Sequence, residues 1–212
     1  MINQPKLSTA TVTDIDGNVY HTVRIGIQVW MVENLKTTKY RNGIPIPLVD
    51  VRSLKALGTT AWYCWPDHDV TKKNTFGALY NWFAIKTGEL APTGWHVPTD
   101  DEWEILIDHL GGAFNAGGKM KSTGTIEVGD GIWHAPNTGA TNESGFAANP
   151  AGDLSTIGSF FRIGNDGFWW SSSQDNNTGC AWTRIISSEH SRVSRINYDA
   201  RNGFSVRCIQ DL

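Results

Sequence analysis

Ten tryptophans, spread from Trp30 to Trp182, constrain this 212-residue chain more than any other feature. With the Phe and Tyr residues they make 11% of the chain aromatic, while only 18% is charged, against about 25% charged in an average globular domain. A chain of this composition cannot remain solvated as a disordered segment and has to bury its rings. No Pro/Ser-rich or charged linker separates the rings, which predicts one domain over residues 1–212. A formal net charge of −3 offers no basic excess for nucleic acid. No apolar run approaches the roughly 20 residues of a membrane span, so nucleic-acid binding and direct membrane insertion are not expected. Residues 1–9 carry neither an apolar stretch nor a cleavage-site pattern. That predicts either an extracellular or cell-surface protein whose leader has been removed or a protein that needs none, such as a virion component.

Local patterning predicts an α+β domain with strands at both ends. Residues 10–35 read as a meander: Thr11-Val12-Thr13, a turn at Asp16-Gly17-Asn18, then β-branched runs over 19–25 and 27–31 broken by Gly26. Residues 40–75 read as irregular, with the stretch 67–74 a polar loop. Leu79, Trp82, Phe83 and Ile85 predict a short amphipathic helix over 76–90. The sharpest local signal is Thr99-Asp100-Asp101-Glu102, a capping box in which a hydroxyl and a carboxylate three residues apart satisfy each other's orphan amides. Trp103, Leu106, Ile107 and Leu110 follow at helical spacing until Gly111-Gly112 stops the helix. Asp100 and Asp101 then serve the cap and the helix dipole. After a Gly/Asn/Ser/Thr-rich stretch to about residue 165, strands are predicted over 168–172, 181–186, 192–197 and 204–209. In the last, Phe204, Val206 and Cys208 share one face and Ser205 and Arg207 the other.

Chemistry-bearing motifs are few. Cys64, Cys180 and Cys208 have no CxxC spacing and cannot all pair within the chain, so they read as buried small hydrophobes, with one disulfide left open. The six histidines are scattered with no pair at i,i+3 or i,i+4 spacing, and neither a nucleophile elbow nor a phosphate-binding loop occurs. His96, just before the helix cap, reads as a hydrogen-bonded structural residue.

Several segments, in order, resemble the Fibrobacter succinogenes major paralogous domain family. They are Ile25-Gly26-Ile27-Gln28-Val29-Trp30-Met31-Val32-Glu33-Asn34-Leu35-Lys36-Thr37-Thr38-Lys39-Tyr40, Ala61-Trp62-Tyr63-Cys64, Tyr80-Asn81-Trp82 and Gly94-Trp95-His96-Val97-Pro98-Thr99. Asn142-Glu143-Ser144-Gly145-Phe146 and Gly203-Phe204-Ser205-Val206-Arg207-Cys208 complete the set, so the resemblance covers roughly residues 12–210. It implies a C-type-lectin-like fold, two helices packed on twisted antiparallel sheets with long irregular loops. Formylglycine-generating enzymes and retroelement-diversified variable proteins share that branch. Rings then fill the space between loops, and glycines permit their turns.

The resemblance poses an enzyme reading against a binding reading. A formylglycine-generating-enzyme-like oxidoreductase would need a nearby cysteine pair for copper, and iron-dependent relatives need a His cluster; this sequence offers neither pattern, so no enzyme and no cofactor are expected. Calcium has weak support: the sugar-binding lectin triplets are missing, and Asp67, Asp69 and Asn74 read first as turn formers. The binding reading rests on Asp175, Asn176, Trp182, Arg184, His190, Arg192, Arg195, Asn197, Tyr198, Asp199 and Arg201. Such density of Arg, aromatic and Asn side chains suits a recognition surface, and it predicts a protein or glycan ligand on a cell surface. Strand alternation turns part of this set inward, Trp182 first. In the diversified variable proteins the same region carries the ligand contacts, so a hypervariable receptor-binding protein is the alternative.

Overall fold

The computed structural model describes residues 8–50 and 58–212. In chain order the strands are β1 (Ser8–Thr13), β2 (Val19–Ile25), β3 (Gln28–Met31), β4 (Tyr63–Cys64), β5 (Leu79–Tyr80) and β6 (Trp95–His96). They continue with β7 (Asp153–Leu154), β8 (Phe160–Phe161), β9 (Asp166–Gln174), β10 (Ala181–Ser187), β11 (Val193–Tyr198) and β12 (Ile209–Gln210). Helices α1 (Lys73–Phe76), α2 (Trp82–Lys86), α3 (Asp100–His109) and α4 (Ala116–Met120) lie between β4 and β7. The result is a mixed helix–sheet architecture, mostly strand, whose named pairs are all antiparallel. A five-stranded sheet runs in the order β1-β2-β3-β12-β6, so β12 returns beside the opening meander. A three-stranded sheet, β11-β10-β9, forms the C-terminal hairpins.

Tryptophan is the main filling between these elements. Nine of the ten indoles are buried and Trp182 alone is half-exposed, which reverses the expectation that Trp182 points inward. Trp30 lies 4.9 Å from Trp103 and 5.7 Å from Phe146, and Phe146 meets Trp169 edge-on at 6.2 Å. Ring edges and faces of opposite partial charge favour such tilted contacts. On the other side of β9, Phe204 stacks on Phe168 at 5.0 Å and tilts against Trp170 at 4.5 Å.

Two polar side chains cross this apolar interior. Arg207, fully buried, donates from Nε and Nη2 to Asn34 Oδ1 at 3.1 and 2.8 Å, and from Nη1 to the carbonyls of Met31 and Phe146. Its guanidinium lies 4.3 Å over the Phe146 ring. Asn34 Oδ1 also accepts from the Trp169 indole at 2.9 Å. The Asn34 amide nitrogen faces Phe76 O, Asn149 Oδ1 and Ser205 Oγ at 2.9, 2.8 and 3.1 Å. One asparagine thus joins β9, the end of α1, the segment around Asn149 and the returning C-terminal chain.

Helix α3 forms as its sequence predicts. Thr99 Oγ1 accepts from the Glu102 amide at 3.2 Å, while Glu102 Oε2 accepts from the Thr99 amide at 2.8 Å. Trp103, Leu106, Ile107 and Leu110 all face the core.

Other local readings change. The predicted helix over 76–90 is broken: α1 ends at Phe76, β5 pairs with β4, and only Trp82–Lys86 is helical. The break starts at Gly77, whose φ of +77° and position would put a Cβ 2.6 Å from Asn34 Cβ, so only glycine fits there. Asn81 then caps α2 by accepting from the Ala84 amide at 3.2 Å. The stretch 67–74 is not loop but two 3-10 turns running into α1, and the Gly-rich stretch contains α4, β7 and β8. Residues 204–208 are extended but bond to several segments rather than to one ladder, through Tyr80, Phe168, Leu35 and Met31. Ser205 and Arg207, on the face opposite Phe204, are buried as well.

Leu106→Ala is expected to cost about 2–5 kcal/mol through the cavity it leaves, and Thr99→Ala about 0.5–2 kcal/mol through the lost cap. Asn34→Ala should cost more than about 3 kcal/mol, because it strips from a buried guanidinium the one oxygen that accepts from both its Nε and its Nη2. Urea denaturation of the three variants checks this order.

Candidate functional site

The recognition residues inferred from sequence fall on the β11-β10-β9 sheet and its turns, and strand register sorts them. Trp182 pairs with Asn197 and Arg184 with Arg195 across β10 and β11. Directly opposed residues share a face, so these four lie together, on the side where α3 begins. Arg184 is fully buried there. Its Nη1 donates to Asp100 Oδ1 at 2.6 Å, and its Nη2 to Asp100 O and Glu104 Oε2, each at 3.1 Å. Arg184 is therefore corrected from exposed contact to interior strut. Asp100 does more than cap the helix: it takes charge-assisted bonds from two arginines.

Arg195 is the second. Its Nε and Nη2 reach Asp100 Oδ2 at 2.9 and 2.7 Å, a two-pronged grip. Its guanidinium carbon stands 3.3 Å over the Trp182 ring, close enough for strong cation–π attraction. The Arg195 side chain stays 40% exposed. Burial works against the Asp100 charge, but hydrogen bonds from Arg195 and Arg184 and their charges outweigh it and hold the carboxyl below its ordinary value.

The β9–β10 turn closes beside this platform. Asp175, buried, accepts from the Asn177 amide at 3.0 Å, from Thr178 Oγ1 at 2.8 Å and from Asn197 Nδ2. Asp175 thus shapes the turn, while Asn176 at its tip is exposed. Beyond β11, Asp199 binds Arg201 through Nε at 2.9 Å and Nη2 at 2.5 Å, and Arg201 remains exposed. Tyr198 lies on the opposite sheet face, half-buried against Phe168 and Phe204.

His190 and Arg192 sit at the other end of the sheet, in the β10–β11 turn. A seven-residue strand separates the two ends by roughly 20 Å. That turn is seated against α4, where a Cβ at Gly117 would come within 2.7 Å of Ser191 O. Lys121 Nζ pins it by donating to Ser187 O at 2.9 Å and His190 O at 3.2 Å. The predicted set is thus not one patch. Trp182, Arg195 and Asn197 lie together with Asn176 in the adjoining turn, Asp199 and Arg201 pair with each other beyond β11, and His190 and Arg192 sit at the far end.

Asp100 and Glu104 escaped the sequence reading of this site. Their spacing from Arg184, 84 and 80 residues, leaves no local signal. All three cysteines are free thiols; Cys64 and Cys208 are buried, which pushes both thiols well above their ordinary pKa, and Cys180 is half-buried. The residues considered for calcium are engaged separately: Asp67 with Lys72, Asp69 with Thr71, and Asn74 with Lys36. Among the described residues no group of three or more His, Cys, Asp or Glu side chains converges as a metal site would require.

A family model described as the Fibrobacter succinogenes major domain matches residues 23–210. No curated protein and no solved structure matches the chain.

Arg184→Ala should cost more than about 2 kcal/mol, since it empties a buried site and leaves the Asp100 charge half-compensated. Arg192→Ala at the far turn should stay within about 0.5 kcal/mol of the parent. Thermal and urea unfolding of the pair reads the difference.

Proposed function

We propose that this chain, which belongs to the Fibrobacter succinogenes major domain family, is a non-catalytic binding domain that meets its ligand with the α3 end of the β11-β10-β9 sheet. The observation that carries this reading is the platform of Arg195 held 3.3 Å over Trp182 and gripped by Asp100, with both side chains still reaching solvent. Trp182 stands apart from nine indoles that are buried. Tryptophan and arginine dominate binding hot spots because they combine large apolar area with directional donors. Side chains already locked in place lose little freedom on binding. Asn176 and Asn197 beside the platform supply polar contacts, and an indole face also suits stacking on a sugar ring.

The ligand class is a protein or glycan on a cell surface, and the domain works displayed on a cell or a virion. We read its architecture as C-type-lectin-like. Support comes from β12 lying beside β3, from α3 packed between the two larger sheets, and from the long irregular segments between short strands.

Screening on a glycan array and pull-down from cell-surface material should each be run with the parent chain, Trp182→Ala, Arg195→Ala and Arg192→Ala. Binding is expected to weaken by more than about 1 kcal/mol, roughly fivefold, in the first two variants and to persist in Arg192→Ala. Circular dichroism establishes that the variants fold. Retention of full affinity by both platform variants would place the site elsewhere, the turns over 67–74 being next to examine.

A further inference from the structure

His96, in β6, stands between two carboxylates. Nδ1 lies 2.6 Å from Asp211 Oδ1 and Nε2 lies 2.8 Å from Glu102 Oε1. An ionised carboxylate only accepts hydrogen bonds, so both contacts hold only when both ring nitrogens carry protons. A neutral imidazole has a single N–H and turns a lone pair toward whichever carboxylate it does not serve.

The two carboxylates are held differently. Glu102 Oε2 is committed to the cap of α3, accepting from Thr99 N at 2.8 Å and Thr99 Oγ1 at 3.0 Å. Asp211 belongs to the segment that follows β12, its amide donating to Gly94 O at 2.9 Å and its side chain 53% exposed. Among the described residues Arg41 also feels Asp211, and it is itself gripped by Glu89 at 2.9 and 3.1 Å. A cleft of about 210 Å³, walled by Ile85, Leu90, Val97 and His96, adjoins the ring. With 37% of the His96 side chain exposed, a proton reaches it without unfolding.

We infer that His96 is a proton-operated clamp between the start of α3 and the segment after β12. Protonated, it ties Glu102 to Asp211; deprotonated, it keeps the capped Glu102 and releases Asp211. Burial lowers the affinity of the ring for its proton, but the hydrogen bonds it donates to Asp211 and Glu102 and the charges of those carboxylates outweigh it, so the pKa lies above the ordinary 6.5. A base whose folded pKa is raised stabilises the fold fully below its unfolded pKa, and that contribution is lost as pH rises through the folded value. The clamp is therefore closed under mildly acidic conditions and opens on the alkaline side. It does not depend on the ligand proposed above.

The test is a titration of the whole chain by NMR from about pH 5 to about pH 9, following the His96 ring nitrogens and amide hydrogen exchange at Asp211. The midpoint of His96 is expected above 6.5. Protection of the Asp211 amide, after correction for intrinsic base catalysis, should fall severalfold through the same midpoint. In Asp211→Asn, an exposed and nearly isosteric change, the midpoint should move down and the pH dependence of protection should vanish. A midpoint at or below 6.5 in the parent chain, protection that is flat across the titration, or a midpoint indifferent to Asp211→Asn would each overturn the clamp.

Discussion

A buried guanidinium is costly unless other groups satisfy its donors, and among the described residues no carboxylate bonds Arg207, so polar groups from several segments converge on it. Arg207 reaches one amide oxygen, two main-chain carbonyls and the face of a phenylalanine. Burial lowers its pKa to about 9. Asn34 meets this demand on one side and, on the other, holds Phe76, Asn149 and Ser205. The returning C-terminal chain, the meander and β9 cannot shift independently while that asparagine is saturated. A network that is fully satisfied orders its surroundings, whereas a partly satisfied one is worse than an apolar core.

Helix α3 carries a second level of organisation. Its first turn closes its own cap and also engages three neighbours. Thr99 and Glu102 close the cap, Glu102 also engages His96, and Asp100 takes Arg184 and Arg195. Ten residues of helix therefore join the five-stranded sheet, through His96, to the three-stranded sheet, through the two arginines. The apolar face of the same helix, with Trp103, Leu106 and Ile107, fills the space between. The surface platform at Trp182 inherits its rigidity from this junction, because Asp100 is fixed by main-chain geometry at a helix start rather than by a flexible loop.

The buried and the exposed arginine illustrate how far strand patterning reaches. Arg184 and Arg195 are direct cross-strand partners on one sheet face. Alternation assigns them the same side and cannot tell them apart. What separates them is α3, which covers β10 and leaves the edge strand β11 half open. Trp182, the second residue of β10, reads as core from its strand, yet it stays half-exposed and Arg195 closes over it instead.

By itself the sequence determined the features that depend on neighbours within a few residues. The cap and apolar stripe of α3, the Gly17 turn, the hairpin strands and the demand that most rings be buried were all legible, since periodicity and capping act within one or two turns. The ordered motifs placed the chain in its family for a related reason, as each is a short string of fixed chemistry. Only the tertiary structure decided which polar residues meet. Asn34 and Arg207 are 173 positions apart, and Asp100 and Arg184 are 84. Pairing over such separations is selected by how the sheets and α3 pack, and no local preference of Asn, Asp or Arg encodes it. Packing likewise overrode the helical spacing at 76–90, where Gly77 had to pass against Asn34 and the chain turned to pair with β4.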